Sequence, residues 1–465
     1  MRIVIKVGTS SLLNDDGSGV RLGVLAQLCE TVKELRAAGH ETVIVSSGAV
    51  GMGCIRMGID RPKEIGKVQA MAAVGGMALS RLFEQAFELT GGKCAQVLLT
   101  YSNFGSKVQF RTAKRAIEQL MAMEITPIVN ENDVVSCEEA KIGDNDNLAA
   151  MVATMVDAEV LVLLTDVDGL YTADPGSDPS ARRIARVHHG CLPELRRRFA
   201  AGDDFDPREV SSLTSYIMLE GEDKDSAAGS VSGSETSPRY AAAAKAAAKV
   251  ATDAAATAET YAEAKAEAKA EAKAEAKPES KAAASGETER SGQWGTGGMG
   301  TKLAAAQIAT SCGADTIIMR AEDAHNIAEL VADIVASGTG EGVGTMFAAS
   351  EEPARKGHTR WLTTQTPLGR VVLDAGAAAA VAEHRSTLFP AGVKGVEGKF
   401  NVNDAVDLVD PLGETVARAL VNYSSVEIAR IAGHSSAEIE EVLGEEASDE
   451  GVCGRANIAV MCRQP

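Results

Sequence analysis

Between residue 1 and about residue 201, short β-branched runs alternate with segments of helical period, and no other feature of the chain narrows its fold as much. The runs 3–7, 42–45, 95–99, 126–129 and 160–164 are rich in Val, Ile, Leu and Thr, whereas 23–38 and 110–123 carry apolar residues every three to four positions. Strands separated by helices return to the same end of a sheet by crossovers. The pattern therefore predicts an α/β fold, a mainly parallel sheet covered by helices on both faces. It resumes late in the chain, with 303–310 as helix and 316–319 as strand. Ligands of such sheets gather at the carboxyl ends of the strands, so the residues following each run carry the functional reading.

Lys6 lies inside the first apolar run and is followed by Gly8, Thr9, Ser10 and Ser11. A lysine there is costly to bury unless an anion pairs with it. Far along the chain, Gly295, Thr296, Gly297, Gly298, Met299, Gly300, Thr301 and Lys302 open onto an Ala-rich helical stretch. Glycines let backbone N–H groups close around an anion, and a helix N-terminus favours negative charge, so this run reads as a phosphate clamp with Lys302 beside it. Walker-type spacing, a kinase catalytic loop and a dinucleotide fingerprint are all missing from the sequence. Two lysines on separate Gly-rich loops are the alternative.

Three further clusters follow predicted strands: 45–51 with Ser47, the Asn-Glu-Asn-Asp run 130–133, and the Gly-Asp-Asn-Asp-Asn run 143–147, which opens a predicted helix at 148–156. Each alone is what a turn or an N-cap uses. Five such clusters at one end of a single sheet point instead to a site. The Asp133 carboxylate suits the ammonium of a free amino acid, and the Asn145 amide suits a carboxylate.

The chain has 465 residues, enough for two domains, and a net charge of −19, which opposes wrapping nucleic acid or an anionic membrane. Its eight cysteines form no Cys-x-x-Cys pair, which argues against a metal site or a disulfide framework and for a reducing compartment. The first run begins at residue 3 and no apolar run reaches ~20 residues, so a leader and a membrane span are not expected and a cytoplasmic location is. Residues 203–292 change composition abruptly: acidic and Ser-rich, then an Ala-Glu-Ala-Lys repeat over 262–277. In that repeat like charges fall four apart, where they repel on a helix, and no apolar stripe is present. It reads as an insertion into a first domain spanning 1–348. Beyond a linker at 350–358, the β-like runs 369–373, 405–409 and 458–461 and one helix-like piece at 425–431 predict a small β-rich domain over 358–463.

Taken together, IVIKVGTSSL, VIVSSGAVGMG, PIVNENDVV, KIGDNDNLAA, VLVLLTDVDGLYTADP and GTGGMGTKLAAAQIA resemble the glutamate 5-kinase family, a branch of the amino acid kinase superfamily with a C-terminal PUA domain. The tail motifs GRVVLDAGAAAAV, LFPAGVKGVEGKF, ALVNYSS and IARIAGH are similar to that PUA domain, with Asn403 and Ala419 standing where glycine is common and Ala419 expected to alter a turn. The resemblance implies transfer of the γ-phosphoryl of ATP, with Mg²⁺, to the γ-carboxylate of L-glutamate, the first step of proline synthesis. It implies catalytic roles for Lys6, Lys302 and Asp146, the last holding the two lysines. Glutamate would be bound by Ser47, Asp133 and Asn145, and ATP by Lys6, Gly8, Thr9, Thr165, Asp166, Thr296, Gly297, Gly298, Met299, Gly300, Thr301 and Lys302. It implies no protein-held metal, feedback inhibition by proline, and a homo-oligomer, dimer or tetramer. Two alternatives remain: an aspartate-type amino acid kinase, and RNA binding through the PUA domain, against which the charge and the few aromatic residues count.

Overall fold

Alternate residues of β1 (Arg2–Val7) enter two different cores. Val4 packs with Val43, Val129 and Leu161 under the helices Lys107–Ala122, Asn145–Met155, Leu192–Ala201 and Met299–Ser311. Ile3, Ile5 and Val7 pack on the opposite face under Leu22–Ala37, Ile65–Leu89 and Ile327–Ser337. A strand buried on both faces has no polar side, which is why the run is nearly continuous in Val and Ile. Each such side chain, fully buried, contributes about 1.5–3 kcal/mol. The computed structural model describes residues 1–14, 17–135, 145–173, 175, 178–201, 217–220, 298–337, 342–351, 358–365, 367–384, 386–402, 404–444 and 451–461.

The other strands of this sheet are β2 (Glu41–Ser46), β3 (Cys94–Leu99), β4 (Thr126–Glu131), β5 (Val160–Thr165), β6 (Leu170–Tyr171), β7 (Arg183–Val187), β8 (Ile217–Leu219), β9 (Asp315–Arg320) and β10 (Thr345–Phe347). Their order is β3-β4-β2-β1-β5-β9-β10-β7-β6, with β8 on β7. The six strands from β3 to β9 run parallel, as expected, whereas β10 is antiparallel to β9. The helix Ile65–Leu89 lies against Ala49–Met57 at backbone distance: a Cβ on Gly75 would come within 1.8 Å of the Ala49 carbonyl oxygen.

One strand corrects the reading of 203–292 as an insertion throughout. Ile217 and Leu219 are buried, and β8 pairs antiparallel with β7, while Glu220 closes the edge with a 2.6 Å ion pair to Arg183. Three residues inside a polar, Ser-rich stretch are too short to show a period, so only the pairing reveals them. A Gly-Ser linker in place of 221–288 is expected to leave a folded, active kinase. Starting the replacement at 210 removes β8 and should lower the thermal midpoint by several degrees, the two buried side chains being worth roughly 3–6 kcal/mol together. A melting comparison of the two variants checks this; loss of ATP affinity in the shorter replacement would show that 221–288 position the clamp.

The second sheet has the order β12-β11-β13-β14-β15, built from β11 (Gly369–Leu373), β12 (Val393–Gly398), β13 (Ala405–Val409), β14 (Thr415–Leu420) and β15 (Ile458–Val460). All neighbours are antiparallel except β11 and β13. Helices at Ala375–His384 and Ile439–Leu443 join the expected one at Ser425–Ile431. Ala419 is fully buried within β14, opposite Val406, and so alters no turn; Asn403 lies outside the described residues. The helix His358–Thr363 links the sheets: Trp361 Nε1 and Gln365 Nε2 donate to the Phe104 carbonyl at 2.9 and 2.7 Å, and Arg418 Nη1 donates to the Gln365 carbonyl at 2.6 Å. Among the described residues no helix is long and apolar enough to cross a membrane.

His189, buried near this junction, has Nδ1 within hydrogen-bond distance of Thr310 Oγ1, at 2.8 Å. Desolvation, then the neighbouring His188, lowers its pKa to about 4. The unfolded chain takes up this proton first as pH falls, so the contribution is complete above about 6.5 and lost on the way down to 4, roughly 3 kcal/mol in all. Melts at pH 7 and 5 should therefore differ less in a His189→Gln variant than in the parent.

Candidate active site

Strand alternation places Lys6 on the same sheet face as Val4, beneath the helices Asn145–Met155 and Met299–Ser311. Those two helices bring Asp146 and Lys302 to it in their first turns. Lys6 Nζ lies 2.6 Å from Asp146 Oδ1 and Lys302 Nζ 3.2 Å from Asp146 Oδ2. All three side chains are almost wholly buried, at 4%, 7% and 0% exposure for Lys6, Lys302 and Asp146. Among these three side chains one carboxylate thus faces two ammonium groups. A phosphate beside two such ammonium groups is held by charge as well as by hydrogen bonds. Thr301 Oγ1 also reaches Asp146 Oδ2, at 3.2 Å, and donates to the Gly298 carbonyl at 2.8 Å.

The helix Met299–Ser311 begins four residues earlier than the Ala-rich stretch suggests, so Met299, Gly300, Thr301 and Lys302 are helical and Gly298 is the N-cap. Helix formation orders the clamp's second half and aims its N–H groups at the strand ends. Thr296 and Gly297 lie outside the described residues. Asn145 and Asp146 are likewise helical and not part of a preceding loop. At the end of β1, Gly8 sits against the lysine: a Cβ there would lie 3.4 Å from Lys6 Nζ. Thr9 opens the short helix that follows. Thr165 ends β5, two strands from β2, and donates through Oγ1 to Asp166 Oδ1 at 2.9 Å.

Beside this cluster, the turn after β2 is shaped by Gly48, whose φ of +105° is costly for a residue with a side chain. It directs Ser47 toward Asn145, whose Nδ2 reaches Ser47 Oγ at 2.7 Å, the Ser46 carbonyl at 3.0 Å and Asn130 Oδ1 at 3.3 Å. A carbonyl only accepts, so the amide nitrogen must face Ser46. The Asn145 donors are thus committed within the protein, which corrects the expectation that they bind a carboxylate. The amide oxygen and the Ser47 O–H remain to meet a ligand.

Asp133, half-buried, lines a cleft of about 660 Å³ together with Asn130 and Asn132. Asn130, which also accepts from Asn145 Nδ2, thus lines this cleft as well. Its far wall is the helix Ile65–Leu89, with Gly76, Ser80, Arg81 and Glu84. The sequence reading missed this wall, although residues 76, 80 and 84 recur every fourth position and so share one helical face. Among the described residues no group of three or more His, Cys, Asp or Glu side chains is placed to hold a metal ion.

The model of the amino acid kinase family matches residues 1–203 and that of the PUA domain residues 369–443. A glutamate 5-kinase of Synechococcus sp. (strain JA-3-3Ab) is 38% identical over 463 residues, spanning 99% of this chain and 98% of its own. That of Microcystis aeruginosa is 36% identical, over 99% and 96%. A solved UMP kinase from Bacillus anthracis aligns with 75% of this chain and 95% of its own, at 11% identity and a TM-score of 0.39. Similarity that runs through both domains at this level leaves no room for a partial kinship: the chain belongs to the glutamate 5-kinase family, an amino acid kinase domain followed by a PUA domain.

Proposed function

We propose that this chain transfers the γ-phosphoryl group of MgATP to the γ-carboxylate of L-glutamate, giving L-glutamyl 5-phosphate and ADP, the first step of proline synthesis. The observation that carries this reading is the buried pair Lys6 and Lys302 sharing the single carboxylate of Asp146. A glutamate carboxylate is ionised at neutral pH and needs no general base. The difficulty of the reaction is the approach of one anion to another, and fixed positive charge out of water is the means of offsetting it. Lys6 and Lys302 supply that charge to the transferring group, and Asp146 keeps both ammonium groups at one point.

Gly8, Thr9, Gly298, Met299, Gly300 and Thr301, with Thr296 and Gly297, cradle the phosphates through backbone N–H groups and hydroxyls, and Thr165 and Asp166 contact the nucleotide. Magnesium arrives with the nucleotide as part of the substrate. In the acceptor pocket, the Ser47 hydroxyl donates to a glutamate carboxylate, while the Asp133 carboxylate and the Asn145 amide oxygen accept from its ammonium. Free proline competes at this pocket, and the chain assembles as a dimer or tetramer, on the family's pattern.

A phosphorylation assay across glutamate, aspartate, N-acetylglutamate and UMP tests the reading. Glutamate is expected to be turned over fastest; preference for any of the other three would replace it.

A further inference from the structure

At the opposite end of the sheet from Lys6, a crevice of about 470 Å³ opens between the first residues of β2 and β4 and the ends of the helices Leu22–Ala37 and Ile65–Leu89. Thr42 and Thr126 both line it. They stand side by side, because β2 and β4 pair in parallel with Ile44 opposite Ile128, two residues further on in each strand. The two-residue repeat of a strand puts both on the face of Ile44 and Ile128, where the crevice lies. Thr42 is 3% exposed and Thr126 1%, and among the described residues neither hydroxyl has a hydrogen-bond partner. Leaving one such group unpaired is costly, and two adjacent ones at a cavity call for a ligand.

The rim is basic. Lys33 and Lys93 are exposed at its mouth and, among the described residues, make no ion pair, while Arg36 has only a 3.9 Å contact with Glu124. The remaining lining carboxylate, Glu41, pairs at 2.6 Å with Arg2, which also reaches Glu118 at 3.0 Å. Burial, and then the Met1 ammonium beside Nδ1, hold His40 neutral, its pKa lowered to about 4, so the imidazole adds no charge. A crevice of this size fits a small metabolite and not a chain segment.

We infer that this crevice binds a small anion through the Lys33 and Lys93 ammonium groups and the Thr42 and Thr126 hydroxyls. The ligand bears a carboxylate or phosphate group, the chemistry that pairs with two lysines while accepting from two hydroxyls. Its position is separate from the phosphoryl-transfer end, since Thr42 and Ser47 lie about 16 Å apart along the strand at roughly 3.3 Å per residue.

The test is calorimetric titration of inorganic phosphate and of citrate into the full chain at constant ionic strength, with glutamate and a non-hydrolysable ATP analogue saturating the other end of the sheet. Saturable binding is expected for at least one probe: phosphate alone identifies a phosphate ligand, citrate alone a carboxylate. Affinity should fall about tenfold or more in the double variant Lys33→Ala with Lys93→Ala, and again in Thr42→Val with Thr126→Val. The valine pair should melt no lower than the parent without anion, because it removes unpaired hydroxyls at nearly constant shape. The lysine pair lies on the surface, so its folding is not at stake. Absence of saturable binding, or binding indifferent to both double variants, overturns the inference. So does a loss confined to the lysine pair, since the buried hydroxyls distinguish this crevice from any basic surface.

Discussion

Turnover is expected to fall by roughly 10²-fold or more when Lys302 is replaced by alanine, and by a similar factor for Lys6→Ala. Each change removes one of the two positive charges shared by Asp146. The transferring phosphoryl group would then approach glutamate with one fixed positive charge fewer to offset anion against anion. A substitution in the first turn of the helix Met299–Ser311 need not unfold the protein, and a thermal melt alongside the kinetics separates the two effects. Turnover close to that of the parent in either folded variant would remove that lysine from the chemistry. Asp146→Asn should also lower turnover, because the amide cannot hold two ammonium groups at one point, although the charge available to the phosphates rises.

The second large effect concerns the acceptor. N-acetylglutamate is expected to be used less efficiently than glutamate by roughly 10³-fold or more in kcat/KM. Acetylation removes the positive charge that pairs with Asp133 and leaves that carboxylate facing a neutral amide. The Asn145 amide is held by Ser46, Ser47 and Asn130, so it cannot turn its donors outward to adapt. In the same way Asp133→Asn should raise KM for glutamate about tenfold or more and leave KM for ATP nearly unaltered. Equal losses for both substrates, or efficient turnover of the acetylated compound by the parent, would show that the 130–133 turn serves another purpose.

Much of the site was legible because the chemistry it needs is local. Lys6 stands out as the one charge in the otherwise apolar run 3–7, and glycine with hydroxyl residues after a strand marks a loop that approaches a ligand closely. The start of the helix Met299–Ser311 differs from the reading because Gly300 and Thr301 favour a loop by propensity, whereas packing of that helix against Asn145–Met155 makes them helical. Asn145 shows the same override: its amide is helical and committed inward, a fact no spacing contains.

The sequence by itself determined the parallel sheet, its two helical layers and the second β-rich domain, because apolar period and turn chemistry are written residue by residue along the chain. The tertiary structure alone decided what lies next to what across long separations. It brought Asp146 between lysines at positions 6 and 302, paired the three residues of β8 with β7, and aligned the unpaired hydroxyls of Thr42 and Thr126 at the far end of the sheet. The physical reason is that strand order and register are set by the summed burial of both sheet faces, a property of all the strands together and not of any one segment.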